Sequence, residues 1–112
     1  MKIAVPVADG QLAMHFGHCD AFVLIDVDPE SQHIESIEES DPPPHQPGVL
    51  PTWLGQQGVE LVIAGGMGQR AQMLFTDQNI TVVVGASAGT PEALVQQYLE
   101  GTLATGDNLC DH

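Results

Sequence analysis

The sequence predicts an α/β fold: a mixed five-stranded sheet, elements running β-β-β-α-β-α-β-α, with helices on its faces. Three observations carry that expectation. Short apolar, β-branched runs recur at 3–7, 21–27, 59–64 and 80–84. The two later runs alternate with segments of helical period, as parallel strands with right-handed crossovers do. The early runs are separated only by a loop and a turn, which imposes antiparallel pairing.

Taken in order, Ile3 to Val7 is a buried strand stopped by Asp9-Gly10. Gln11 to Asp20 mixes polarity, contains Gly17 and has no period, so it is expected to be an irregular loop. Ala21 to Val27 is the second strand, and Asp28-Pro29-Glu30-Ser31 is a turn. Gln32 to Glu38 alternates around Ile34 and Ile37 and reads as a half-exposed third strand. Seven of the fifteen acids fall between Asp26 and Asp41, which suits an edge strand because charge discourages edge-to-edge pairing. Asp41-Pro42-Pro43-Pro44-His45-Gln46-Pro47-Gly48 is a stiff connector. Leu50, Trp53 and Leu54 place a helix over 49–57, with Gly58 as its C-cap. Val59 to Ala64 scarcely alternates, as expected of a strand covered on both faces. Gly65-Gly66-Met67-Gly68 leads into a helix over 69–76, and Ile80 to Val84 is the last strand. Gly85-Ala86-Ser87-Ala88-Gly89 precedes a helix with Thr90 as N-cap, Pro91 as first residue and Gly101 as its end. One domain spans 1–101, and 102–112 is a C-terminal tail carrying Cys110 and His112. This is the arrangement of ribonuclease-H-like folds, with the first strand near the centre.

Composition narrows the function. Lys+Arg 2 against Asp+Glu 15 gives a net charge of −13. Such a field repels phosphate backbones and anionic membranes, which argues against nucleic acid or a membrane surface as partner. No apolar run approaches the ~18 residues of a membrane span. The N-terminus has one Lys, a short apolar run and no cleavage pattern, so it reads as a strand and not as a secretory signal. An apolar share of 43% supports one buried core. Two cysteines are too few for a disulfide scaffold. A reducing cytoplasm with free thiols is the expected setting, a Cys19–Cys110 disulfide the alternative.

Connection order places the reactive residues. Let the end where the first strand finishes be the top. The loops at 9–20, 41–48, 65–68 and 85–89 all open there, and open α/β sheets bind ligands at the carboxyl ends of parallel strands. His15, His18 and Cys19 stand in the first loop and His45 in the second. Cys110 and His112 are in the tail, which when extended reaches ~35 Å and can climb the ~15–20 Å height of the sheet. Only His33 lies elsewhere, so six of the seven His and Cys residues can meet at one rim.

Neutral imidazole and thiolate are borderline or soft donors. They suit Zn, Cu, Fe or sulfide-bearing clusters rather than Mg or Ca. His15-x-x-His18 and Cys110-x-His112 each offer two donors at close spacing. Plain readings stand beside these: incidental loop histidines, a buried apolar Cys19, a disordered tail, His45 as a connector residue and His33 as a solvated strand residue. Gly65-Gly66-Met67-Gly68-Gln69-Arg70 joins a strand to a helix start, where backbone N–H groups favour an anion. Arg70, one of two Lys/Arg residues, is a candidate anion clamp. The alternative is a tight turn whose glycines allow close packing, with Arg70 in a surface ion pair. Met67 reads as core, with a thioether donor as the alternative. The turn has neither Walker spacing nor a full G-x-G-x-x-G. Asp9 ends the first strand, where a metal-dependent nuclease of this fold class would hold an acid. With no basic residues to hold a phosphodiester, Asp9 reads better as a turn residue. No Ser-His-Asp order or catalytic Cys signature appears.

Three segments together closely resemble the dinitrogenase iron–molybdenum cofactor biosynthesis family. They are Met1-Lys2-Ile3-Ala4-Val5-Pro6-Val7, His15-Phe16-Gly17-His18-Cys19 with Phe22, and Val62-Ile63-Ala64-Gly65-Gly66-Met67-Gly68-Gln69-Arg70-Ala71. That family includes NifX, the C-terminal part of NifB and small stand-alone members. Pro44-His45-Gln46-Pro47-Gly48 and the ending from Leu99 to Asn108-Leu109-Cys110-Asp111-His112 look like the stand-alone members, so the resemblance spans essentially the whole chain. It implies a ribonuclease-H-like fold without nuclease activity. It also implies a non-catalytic protein that binds, stores or delivers an iron–sulfur or molybdenum-containing metal–sulfur cluster, or its precursor, in metallocofactor assembly. A molybdenum–copper sulfide cluster, as in the orange protein of sulfate reducers, falls within that range, and that relative points to non-covalent contacts. In this reading His15, His18, Cys19, His45, Cys110 and His112 contact metal, and Phe16, Gly17, Gly65, Gly66, Gly68 and Arg70 line the cofactor. The implied partners are a cofactor-assembly or client metalloprotein and an associated ATPase. The rival readings are an interaction module for a partner ATPase or oxidoreductase, using the acidic strand region, and a metal-dependent hydrolase using Asp9.

Overall fold

The computed structural model describes residues 1–43 and 48–106. Its elements are β1 (Lys2–Ala8), β2 (Gln11–Leu12), a 3-10 turn (Phe16–His18), β3 (Ala21–Asp28), β4 (His33–Ser40), α1 (Val49–Gln56), β5 (Leu61–Ile63), α2 (Gln69–Asp77), β6 (Thr81–Val83) and α3 (Pro91–Glu100). Strand order across the sheet is β4-β3-β1-β5-β6, with β2 paired to β1. β1–β3 and β3–β4 are antiparallel, and β1–β5 and β5–β6 are parallel. The mixed sheet expected from the sequence is present, with β1 at its centre.

The segment 11–20 differs from the irregular loop expected, and it raises the strand count from five to six. Asp9 (φ 54) and Gly10 (φ 81) form a tight turn. Positive φ at both central positions is the hairpin geometry that Asp-Gly favours. β2 therefore folds back on β1, with Val7 opposite Leu12, and Leu12 and Ala13 are buried. A two-residue strand is too short to display a period, so only its long-range pairing defines it. β5 and β6 are shorter than the runs that announced them. Val59 and Ile80 precede the ladder but are buried in the core under α1 and α2.

Alternation along β1 divides two cores. Ile3, Val5 and Val7 join Val23, Ile25 and Ile63 beneath Leu94 and Val95 of α3. Ala4 joins Phe22, Leu24 and Val62 against Leu50, Leu54 and Phe75 from α1 and α2. A strand covered on both faces has no polar side, which is why β5 reads Leu-Val-Ile. At the edge, β4 exposes Glu35, Glu38 and Glu39, and its register shifts opposite Asp26/Val27. Acid and bulge together discourage further pairing there. The ends of α3 follow local chemistry: the Thr90 side chain accepts from the Ala93 N–H at 3.4 Å, Pro91 opens the helix and Gly101 (φ 75) closes it. Among the described residues no helix is long and apolar enough to cross a membrane.

Candidate site at the rim of the sheet

β1, β5 and β6 all finish at one end of the sheet, and four stretches of backbone lie side by side beyond them. Phe16 N–H donates to the Gly66 carbonyl (2.8 Å) and Gly66 N–H to the Met14 carbonyl (2.7 Å), so 14–16 runs beside 66. Gly85 N–H donates to the Gly65 carbonyl (2.6 Å) and Ala86 N–H to the Ala64 carbonyl (3.1 Å). Gly106 N–H donates to the Gly85 carbonyl (2.7 Å), which adds the start of the tail. His15 bridges Gly66 in parallel and Ala86 bridges Thr105 antiparallel. The first loop also reaches the last one, through Leu12 N–H to the Gly89 carbonyl (2.9 Å).

This pairing requires the absence of a side chain at Gly65. A Cβ there would stand 3.0 Å from the Met14 carbonyl oxygen and 3.2 Å from that of Ala13. Both obstacles are backbone, so neither can rotate aside. Phe16 holds the same loop from below. It is 9% exposed and packs edge-on to Phe22 (centroids 5.8 Å) and Phe75 (5.4 Å), while Phe22 packs edge-on to Trp53 (5.8 Å). Edge-to-face contact suits the ring quadrupoles. Phe16 is thus an anchor in the α1/α2 core, and His15 and Gly17 on either side of it are exposed.

Met67 is fully buried in that core, and its carbonyl accepts from Gln72 Nε2 at 2.9 Å. Gly68 caps α2 in extended conformation, and Arg70 is exposed in the first turn. The other Lys/Arg residue, Lys2, begins β1 at the far end and donates through Nζ to the Gln57 carbonyl (3.0 Å). Arg70 is therefore the one Lys/Arg side chain on the rim side. Cys19 is half-buried against the α1/α2 core. Burial pushes its thiol up, a backbone hydrogen bond offsets part of that, and the Asp20 charge adds to it. At neutral pH the thiol keeps its proton, so metal ligation by Cys19 would release one. Asp20 also accepts from the Asp9 N–H at 3.3 Å.

The structure brings together His15, Phe16, Gly17, Gly65 and Gly66, with Cys19 on the same loop and Gly68 and Arg70 on the turn that follows. His18 closes the 3-10 turn. His33 opens β4 at the opposite end of the sheet. His45, Cys110 and His112 lie outside the described residues. Among the described residues, no group of three or more His, Cys, Asp or Glu side chains is arranged to hold a metal ion. Gly85 and residues 105–106 also belong to the rim: connection order puts the 85–89 loop at this end, and the tail is long enough to return to it.

The comparisons agree with this architecture. Residues 1–101 match the model of the family described as dinitrogenase iron-molybdenum cofactor. An uncharacterized protein of Methanocaldococcus jannaschii, MJ0580, is 27% identical over 106 residues, covering 92% of this chain and 89% of its own. The crystal structure of PH0822 superposes with a TM-score of 0.85 at 27% identity, covering 95% of this chain and 96% of that one. The apo form of the orange protein from Desulfovibrio gigas has the same fold, with a TM-score of 0.72 at 24% identity, covering 96% of this chain and 93% of that one. With the match extending from the first strand to the end of the last helix, this chain belongs to the dinitrogenase iron-molybdenum cofactor family.

Proposed function

We propose that this protein binds a metal–sulfur cluster or its precursor at the rim, and stores or delivers it in metallocofactor assembly without catalysing a reaction of its own. The observation that carries the reading is the backbone bridge between His15 and Gly66. It sets an exposed imidazole-bearing loop directly beside the glycine turn that opens α2. Family membership supports a cofactor-related role. The strand order, with β2 set aside, supports the ribonuclease-H-like reading of the sheet. Asp9 occupies a left-handed turn position and is exposed, and Arg70 is the only Lys/Arg residue on the rim side, which disfavours a nuclease-type hydrolase.

His15, His18 and Cys19 would supply imidazole and thiolate donors, a set suited to iron, copper or a sulfide cluster. The described residues alone do not enclose a metal, so His45, Cys110 and His112 are proposed to complete the set. Cys110 is four residues beyond Gly106 in the chain. Gly17, Gly65, Gly66, Gly68 and Arg70 would line the cargo, whereas Phe16, expected from the sequence to do the same, has its ring in the core and instead holds the loop in place. Arg70 and the turn backbone would offset part of the negative charge that a sulfidic cluster brings to a chain of net charge −13. The cargo would be an iron–sulfur or molybdenum-containing cluster, with a molybdenum–copper sulfide among the choices. The recipients would be cofactor-assembly or client metalloproteins, with an associated ATPase, in the cytoplasm.

The test is anaerobic reconstitution of the full chain with iron and sulfide, and separately with molybdate, copper and sulfide, followed by absorbance and metal analysis. Stoichiometric loading in one regime, reduced in His15→Ala and Cys19→Ser, is expected. Failure to load stoichiometrically in both regimes refutes the reading.

A further inference from the structure

α3 runs away from the rim, and residues 102–106 bring the chain back to it, where Thr105 bridges Ala86 and Gly106 bonds Gly85. Gly85 has φ 83. Its N–H serves the 65 turn while its carbonyl serves the returning tail. A Cβ at Gly85 would run into the Gly106 carbonyl oxygen and stand 2.9 Å from the Gly106 carbonyl carbon. The glycine is therefore needed for the tail to dock, over and above its left-handed backbone.

The tail is held lightly compared with the lanes inside it. Leu103 is half-buried and packs on the α3-face core, but Thr102, Ala104, Thr105 and Gly106 are exposed. The inner lanes carry buried Ala13, Phe16 and Ala86. At its other end the segment is pinned to α3 by Gly101 N–H to the Tyr98 carbonyl (3.1 Å) and Thr102 N–H to the Gln97 carbonyl (2.8 Å). Few buried apolar contacts and an outermost position are the marks of a unit that opens well below the global unfolding free energy.

We infer that residues 102–106 are a detachable strap, hinged at the end of α3 and clasped at Gly85, whose opening speeds the release of cargo from the rim. The strap itself follows from the geometry; the effect on cargo rests on the cluster-binding reading above.

Two substitutions separate the clasp from the fold. Gly106→Pro removes the N–H that donates to Gly85 and leaves every lane from 61 to 86 untouched. Gly106→Ala keeps the donor, and its Cβ would meet only the Gly85 carbonyl oxygen at 3.9 Å, an ordinary contact. Amide hydrogen exchange is read at residue 106 in the wild type and in Gly106→Ala, with the Gly66 and Gly85 amides as internal references; the proline variant has no amide at 106 and is read by its release rate and its reference amides. Metal release from iron- and sulfide-loaded protein is read with a ferrous chelator. A clasp of one net hydrogen bond predicts about tenfold protection of the 106 amide in the wild type and in Gly106→Ala, and in Gly106→Pro unchanged reference amides with several-fold faster metal release. An unprotected Gly106 amide in the wild type would overturn the clasp. An unchanged release rate in Gly106→Pro would overturn its effect on cargo. If the wild type loads no metal, the cluster reading and the gating fall together, and the strap is judged on exchange alone.

Discussion

Phe16 is the residue on which the position of the first rim loop depends, and Phe16→Ala measures how firmly. A phenylalanine buries about 200 Å², and with 9% left exposed roughly nine-tenths of that is out of water. At ~25 cal/mol per Å² this is about 4.5 kcal/mol, of which an alanine at the same place retains about a third. The net loss is about 3 kcal/mol, the lower end of the range for Phe→Ala in cores. The figure is an upper estimate to the extent that the denatured chain already buries the ring. The two edge-on partners, Phe22 and Phe75, are themselves fully buried, so the cavity has little room to collapse. In a domain of this size the melting temperature should fall by roughly 12–18 °C. Trp53 is the only tryptophan and touches Phe22, so its fluorescence reports the same cluster, with far-UV circular dichroism as the independent probe. A loss below about 1 kcal/mol would mean that Phe16 does not anchor the loop, and the argument for a preformed rim would fail with it.

Three further residues, Cys19, Asp28 and Thr90, give outcomes that follow from the same structure. Burial raises the Cys19 thiol, so in Cys110→Ser protein its alkylation by iodoacetamide should lag behind a free thiol at pH 8 and rise only at more alkaline pH. Because the folded value lies above the unfolded one, its stabilising contribution is present below the ordinary thiol range and is lost as pH rises through the folded value; Cys19→Ala should remove that alkaline slope in urea titrations. Asp28 is held below the usual carboxylate range first by the Glu30 N–H and then by the Ser31 side chain, with Glu30 N–H to Asp28 Oδ1 at 3.0 Å. Its contribution is present above the unfolded carboxylate value and lost as pH falls through the folded one, so Asp28→Asn should flatten the acid limb of stability against pH. Thr90→Ala removes the acceptor for the Ala93 N–H, a bond of 3.4 Å, and should cost about 0.5–1 kcal/mol by chemical denaturation; no measurable change would show that this long cap bond contributes nothing.

Much of the fold was legible because its signals are local. Thr90-Pro91 and Gly101 mark the ends of α3 by hydrogen bonding and backbone preference within a few residues, and the structure has both ends where those residues stand. The apolar run at 59–64 reads as a doubly covered strand, and the central part of it, Leu61–Ile63, is one. The acids of 26–41 read as an edge, and β4 is the edge. Connection order also placed the loops at 9–20, 65–68 and 85–89 at one end, since direction follows from counting crossovers. The hairpin strand β2 was not legible in Gln11–Leu12, because its identity comes from Val7 and Ala8 across the ladder.

The amino-acid sequence by itself determined the longer strands, the helices and their caps, and which end of the sheet carries the loop of His15 and Cys19 and the glycine turn. Those properties depend on short-range periodicity, caps and the order of connections. Only the tertiary structure decided that Phe16 faces the core while its neighbours face out, that Gly65 must lack a side chain because the Met14 carbonyl lies 3.0 Å from where a Cβ would be, and that Gly85 receives the tail. Each of these depends on backbone from distant parts of the chain meeting at hydrogen-bond distance, and no local pattern encodes a distance between segments that are far apart in sequence.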